Sequence, residues 1–151
     1  METAISNIIS IRNIIICNKK CDQLIQLYNY FGENKELNYE NFNNILKNIL
    51  QNNNHNIFLY LDNSNNILGA LTLLTEQKFI HNGKCVAHIE DFVVNKEFRS
   101  QNIGKDLMNY AINYAKQNNC YKIILDTNNK LVNYYSTYGF VNKGTYMGYY
   151  F

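Results

Sequence analysis

A chain of 151 residues with 46% apolar and 17% charged residues can build one substantial core, which excludes an intrinsically disordered protein. The formal net charge of +2, with no basic stripe along any predicted helix, leaves nucleic-acid binding without electrostatic support. No apolar run approaches the roughly 18 residues of a membrane helix, and Met1-Glu2-Thr3-Ala4 lacks the basic-then-apolar start of a signal peptide, so a cytoplasmic protein without a membrane partner is expected.

In chain order, Ile8 to Ile16 reads as a β-rich opening strand interrupted by Arg12-Asn13. Asp22 is a plausible N-cap for a helix carrying Leu24, Ile25, Leu27, Tyr28 and Phe31, which Gly32 ends. Glu33 to Glu36 reads as a loop, and Asn38-Tyr39-Glu40 opens a second helix with Phe42, Ile45, Leu46, Ile49 and Leu50 at helical spacing. Ile57 to Leu61 and Ile67 to Leu74 form a hairpin across the turn Asp62 to Asn66. After a loop at Lys78 to Lys84 come a strand from His88 to Val94 and an amphipathic helix from Ile103 to Lys116. Tyr121 to Leu125 is a strand, Lys130 to Tyr138 a short helix, and Val141 to Phe151 a closing strand. The alternation in the second half points to one α/β domain over residues 1–151, a mixed sheet packed by helices.

The composition is biased: Asn is the commonest residue, Pro and Trp are absent, and Arg occurs only at positions 12 and 99. AT-rich coding that fills tolerant surface positions accounts for this better than any functional role. Cys17, Cys21, Cys85 and Cys120 have no His at ligand spacing nearby, so free buried thiols and no metal are expected.

Chemistry concentrates after His88. Glu90 and Asp91 interrupt an apolar strand, and alternation would send them to opposite faces. Arg99-Ser100-Gln101-Asn102-Ile103-Gly104-Lys105 then lies between a strand and a helix start. There, unpaired N–H groups and the helix dipole favour an anion, Gly104 admits close backbone approach, and Arg99 and Lys105 add charge.

Arg-x-x-Asn-x-Gly-Lys resembles the pyrophosphate motif of the GNAT acetyltransferases, Gln/Arg-x-x-Gly-x-Gly/Ala. Asn102 stands at the first Gly position, and Asn accepts left-handed backbone angles. Tyr134-Tyr135-Ser136-Thr137-Tyr138-Gly139-Phe140 is similar to that family's C-terminal segment. Three further strings resemble its glucosamine 6-phosphate N-acetyltransferase branch: Lys78-Phe79-Ile80-His81, His88 to Asn95, and Cys120 to Asp126.

The resemblance implies a GNAT fold, a central and mostly antiparallel twisted sheet flanked by helices, with acetyl-CoA as cosubstrate. It places the diphosphate on Arg99, Ser100, Gln101, Asn102, Ile103, Gly104 and Lys105, and the pantetheine arm along Phe92, Val93 and Val94 near a strand irregularity. Tyr135, Ser136 and Thr137 would also meet the cofactor, and Tyr135 would protonate the departing thiolate; a phenol of pKa about 10 suits that role. An amino-sugar phosphate would meet Lys78, Phe79, Ile80, His81, Glu90, Asp91, Tyr121 and Lys122, with Asp126 orienting the amine. A homodimer with a shared active site is also implied. Leu131 stands where many relatives have Asn, and Tyr150 where some carry an Arg that reaches the partner's phosphate. Two other readings stay open: a GNAT enzyme for another amine (a protein N-terminus, a polyamine or an aminoglycoside), and a CoA-binding domain without catalysis.

Overall fold

The computed structural model describes residues 7–32 and 37–151. The loop expected at Glu33 to Glu36 lies outside the described residues. Five strands, β1 (Ile8–Ser10), β2 (His55–Leu61), β3 (Ile67–Gln77), β4 (Cys85–Val94) and β5 (Cys120–Ile124), lie in the order β1-β2-β3-β4-β5. All neighbours are antiparallel except β4 and β5, which run parallel. The helices are α1 (Asn18–Tyr28), α2 (Tyr39–Gln51), the single turn α3 (Ile80–Gly83), α4 (Ile103–Gln117) and α5 (Val132–Ser136).

The central strands are apolar on both faces because both faces are covered. In β2, Phe58 faces α4, while Ile57 and Leu59 face α1 and α2. On the α4 side, Leu107, Met108 and Ala111 are fully buried against Leu71, Leu73 and Ala87. Leu107 and Met108 each contribute about 1.5–3 kcal/mol by leaving water. On the other side Leu24, Leu27 and Phe42 close over Ala70 and Val93.

Polar side chains lock the connections. Asp62 accepts from the backbone N–H of Ser64 and Asn66, both at 2.8 Å, which shapes the β2–β3 turn. From α1, Lys20 Nζ donates to Asn65 O at 2.6 Å and Gln23 accepts from Ile67 N–H at 3.1 Å, seating the helix on that turn. Asn38 caps α2 by accepting from Asn41 N–H at 2.9 Å, the helix start read from the sequence.

Four expectations need correction. The opening strand stops at Ser10, because Ile11–Asn13 turns into a 3-10 helix that buries Ile11. Helix α1 begins at Asn18 with Cys17 as N-cap, so Asp22 lies inside it. Strand β4 starts at Cys85 rather than His88, because β3 runs on to Gln77 and pairs with it. Val141 to Phe151 forms no strand. An extended segment becomes a strand only beside another backbone, and among the described residues this tail pairs with none; Val141 is 67% exposed, Met147 90% and Phe151 116%.

Candidate active site

The parallel ladder between β4 and β5 ends at His88 and Ile124. Beyond that point β4 pairs with β3 alone, so the edge from Ile89 to Val94 is open toward the chain that follows β5. Within this open stretch the β3–β4 register shifts: Ala70 faces Val93, Thr72 faces Glu90, and Leu71 alone spans Asp91 and Phe92. Asp91 carries the bulge with φ of 44°, a left-handed conformation that takes one residue out of the ladder.

The bulge revises the reading of the two acids. Alternation fails across it, so Glu90 and Asp91 are both exposed rather than on opposite faces. Partial burial pushes the Glu90 carboxyl above its ordinary range, and the neighbouring carboxylates of Asp91 and Asp126 add to the rise. Three acids from β4 and the end of β5 thus share one local field.

Past β4, Asn95 accepts from Glu97 N–H at 3.1 Å, and the chain turns through Lys96–Phe98 into the loop before α4. Ser100 (φ 66°) and Asn102 (φ 64°) both adopt left-handed angles, the latter as the sequence led one to expect. Asn102 makes no side-chain cap to α4. The first N–H groups of α4 therefore stay free of a side-chain acceptor at the positive end of a 15-residue helix. Left-handed residues alternating with others also form a concave array of N–H groups suited to an anion. Arg99 is exposed, its Nε 3.4 Å from Val94 O.

Gly104 has a different neighbour from the one expected. A Cβ there would lie 3.0 Å from the Tyr134 hydroxyl, 3.3 Å from Phe92 Cζ and 3.6 Å from Val94 Cγ2. The missing side chain makes room for the join of α4, β4 and α5. Sequence reasoning passed over Tyr134, although Tyr134 and Tyr138 stand four apart; their hydroxyls meet at 3.2 Å. Tyr135 packs against the α4-side core and edge-on to Phe140, with ring centroids 6.1 Å apart. Burial raises the phenol pKa of both Tyr134 and Tyr135, with Tyr138 contributing at each.

At the opposite end of β4, the loop after β3 turns sharply through His81 (φ 53°) and Asn82 (φ 57°). The His81 ring stacks on the Tyr121 ring of β5 with centroids 4.0 Å apart, and Lys122 Nζ lies 5.6 Å from the centroid of the Tyr121 ring. These three residues are brought together. Lys78 is held instead by Glu76, which also meets His88 at 3.2 Å; no sequence signal points to that bridge. Phe79 and Ile80 point into solvent, Phe79 at 108% exposure. Ser136 and Thr137 donate back to Val132 O and Tyr134 O, which ends α5. The concavity lined by Gln23, Leu27, Asn66, Leu68 and Phe98 holds none of these residues; the open edge of β4 is the better-founded site because the candidate chemistry surrounds it.

Known proteins resemble this chain in sequence and in fold. A probable glucosamine 6-phosphate N-acetyltransferase 2 of Oryza sativa subsp. japonica is 40% identical over 85 residues, 56% of this chain and 51% of that protein. The match thus spans about half the rice protein's length. A glucosamine 6-phosphate N-acetyltransferase 1 of Dictyostelium discoideum is 38% identical over 118 residues, covering 77% of this chain and 73% of the other. The crystal structure of glucosamine-6-phosphate N-acetyltransferase from Arabidopsis thaliana superposes with a TM-score of 0.83 at 25% identity, over 95% of this chain and 98% of that one. The model of the acetyltransferase (GNAT) family matches residues 19–140, from α1 to the end of the tyrosine segment. With a bulged, one-sided β4 beside an uncapped α4, this chain belongs to the acetyltransferase (GNAT) family.

Proposed function

We propose that this chain, as a single domain, transfers an acetyl group from acetyl-CoA to the amine of D-glucosamine 6-phosphate, giving N-acetylglucosamine 6-phosphate for UDP-GlcNAc biosynthesis. One observation carries the reading: the open edge of β4 past His88 runs toward the uncapped start of α4. An extended arm can add to the strand there while a diphosphate meets the N–H groups of Ile103, Gly104 and Lys105, with Arg99 alongside. The names of the relatives in rice, Dictyostelium and Arabidopsis support the acceptor.

Acetyl-CoA, when bound, supplies an activated acyl group with a thiolate as leaving group. The chain supplies the rest. Phe92, Val93 and Val94 hold the pantetheine arm by their backbone, and the bulge at Asp91 offers a group freed from the ladder to the acyl oxygen. Tyr135, a phenol that is protonated at neutral pH and that burial pushes further up, can give its proton to the thiolate. An amino group of pKa about 8 is already partly neutral, so Asp126 orients it and no strong base is needed. Glu90 and Asp91 meet the hydroxyls. His81, Lys122 and Lys78 receive the phosphate, Lys78 by exchanging Glu76 for it.

The functional unit is a homodimer in the cytoplasm. Val141, Tyr146, Met147, Tyr149, Tyr150 and Phe151 form an exposed apolar run with no strand partner among the described residues, and a second copy covers it. No metal takes part. Thiol release from acetyl-CoA against a panel of amines tests the reading. Glucosamine 6-phosphate is turned over, and glucosamine only at a sharply raised KM. Equal turnover of the two sugars refutes the acceptor. Preference for a polyamine, aminoglycoside or peptide favours another GNAT activity. Thermal stabilisation by CoA without thiol release favours a non-catalytic CoA-binding domain. A monomer by light scattering at assay concentration refutes the shared site alone.

A further inference from the structure

Cys85 opens β4 and Cys120 opens β5, and the parallel ladder sets them opposite each other as Cα partners. Neighbouring strands lie about 4.7–4.9 Å apart, inside the roughly 4.4–6.8 Å between Cα atoms that a disulfide requires. Both side chains face the same side of the sheet. Cys120 packs on the α4-side core, and Cys85 shares that face with Ala87 and Ile89 by alternation. The register shifts directly after Cys85, so Tyr121 is an extra residue in β5 and the paired ends have room to adjust. Both thiols are free and half-buried, open to a small reagent. Burial raises the pKa of Cys120, and the nearby Cys85 adds to the rise. Among the described residues no group of three or more His, Cys, Asp or Glu could hold a metal, so the pair is not part of a larger ligand set.

We propose that Cys85 and Cys120 form a thiol–disulfide site that a low-molecular-weight disulfide, such as oxidised glutathione, converts into an intramolecular cross-link. One cysteine thiolate attacks a sulfur of the small disulfide, forming a mixed disulfide and expelling one glutathione thiolate. The other cysteine thiolate attacks the protein sulfur of that mixed disulfide and expels the second. Two protein thiols and one small disulfide become one protein disulfide and two small thiols, which carry away the two cysteine protons. The cross-link joins the start of the internal strand β4 to the edge strand β5, one residue from Tyr121, on which His81 stacks. It thereby ties the 78–84 loop to β5.

The test is disulfide mapping of the whole reduced chain after incubation with excess oxidised glutathione at mildly alkaline pH, alkylation, and tryptic digestion without reductant. The expected product joins peptide 85–96 to peptide 117–122, with alkylated thiols left on Cys17 and Cys21. A glutathione adduct persisting on Cys85 or Cys120, alkylation of both, or a Cys17–Cys21 cross-link in their place overturns the proposal. In Cys120→Ser the cross-link is lost and Cys85 ends as the glutathione adduct; a cross-link from Cys85 to Cys17 or Cys21 in that variant overturns it as well.

Discussion

Arg12 is one of two arginines in the chain, and its guanidinium gathers four backbone carbonyls. Nη1 donates to Leu50 O at 2.7 Å, and Nη2 to Asn52 O at 2.6 Å, His55 O at 3.0 Å and Ile49 O at 3.3 Å. Ile49 and Leu50 lie in the last turn of α2, at the negative end of its dipole, and Ile49 O also accepts from the Asn52 N–H at 3.1 Å. Arg12→Met keeps the apolar stem and removes the fork. A hydrogen bond from a charged donor contributes about 1.5–3 kcal/mol net, whereas an acceptor that water can reach loses little. Taking the part-buried His55 O at the lower figure, Ile49 O at nothing because Asn52 N–H still serves it, and the exposed pair at nothing gives a loss of about 1.5 kcal/mol. Urea denaturation should show it as a lower midpoint at unchanged m-value. Arg12→Lys should recover less than half, since one ammonium cannot reach four carbonyls at once. A loss below about 0.5 kcal/mol in Arg12→Met, the range of an ordinary surface substitution, would refute the reasoning.

Tyr135→Phe should lower kcat by about 10²–10⁴-fold with nearly unchanged KM values, because the hydroxyl acts as the thiolate leaves. Steady-state kinetics beside Tyr134→Phe decide which phenol matters, and a fully active Tyr135→Phe removes it from the mechanism. Gly104→Val drives a branched side chain into Phe92, Val94 and the Tyr134 hydroxyl, so it should abolish the thermal shift given by CoA. An unchanged shift would place the anchor elsewhere. Glu90 carries a raised folded-state pKa, so it stabilises the fold most when protonated, and that contribution is lost as pH rises through its folded pKa. Glu90→Gln should therefore melt higher than the parent at neutral pH, with the gap closing toward acid pH; a gap that widens on acidification would contradict the shared acidic field.

Periodicity and punctuation made much of this molecule legible. Leu107, Met108, Ala111 and Ala115 fall on one helical stripe, and that stripe is what α4 buries. Asn38 before Tyr39 marks the start of α2, Asp62 to Asn66 marks the hairpin, and Asn102 at a helix start announces a left-handed residue. These signals are local: caps, turns and the 3.6-residue period act within a few residues, so one sequence carries them complete. The bulge at Asp91 was legible only as a suspicion, since two acids in an apolar strand do not say which residue leaves the ladder.

The rest waited on partners distant in the chain. That Arg12 caps α2 some forty residues away, that Glu76 claims Lys78, and that Tyr134 fills the space beside Gly104 follow from pairings across the sheet and between helices. The same holds for Val141 to Phe151, whose composition suits a strand. A strand is a relation between two backbones, and among the described residues the tail pairs with no second backbone. Sequence by itself determined α2, α4 and the β2–β3 hairpin, their buried faces and the order of the motifs, because propensity and hydrophobic period are properties of neighbours. Only the tertiary structure decided which charges are paired, which edge of β4 stays open and which cysteines face each other, because register and contact belong to segments that meet only when the chain folds.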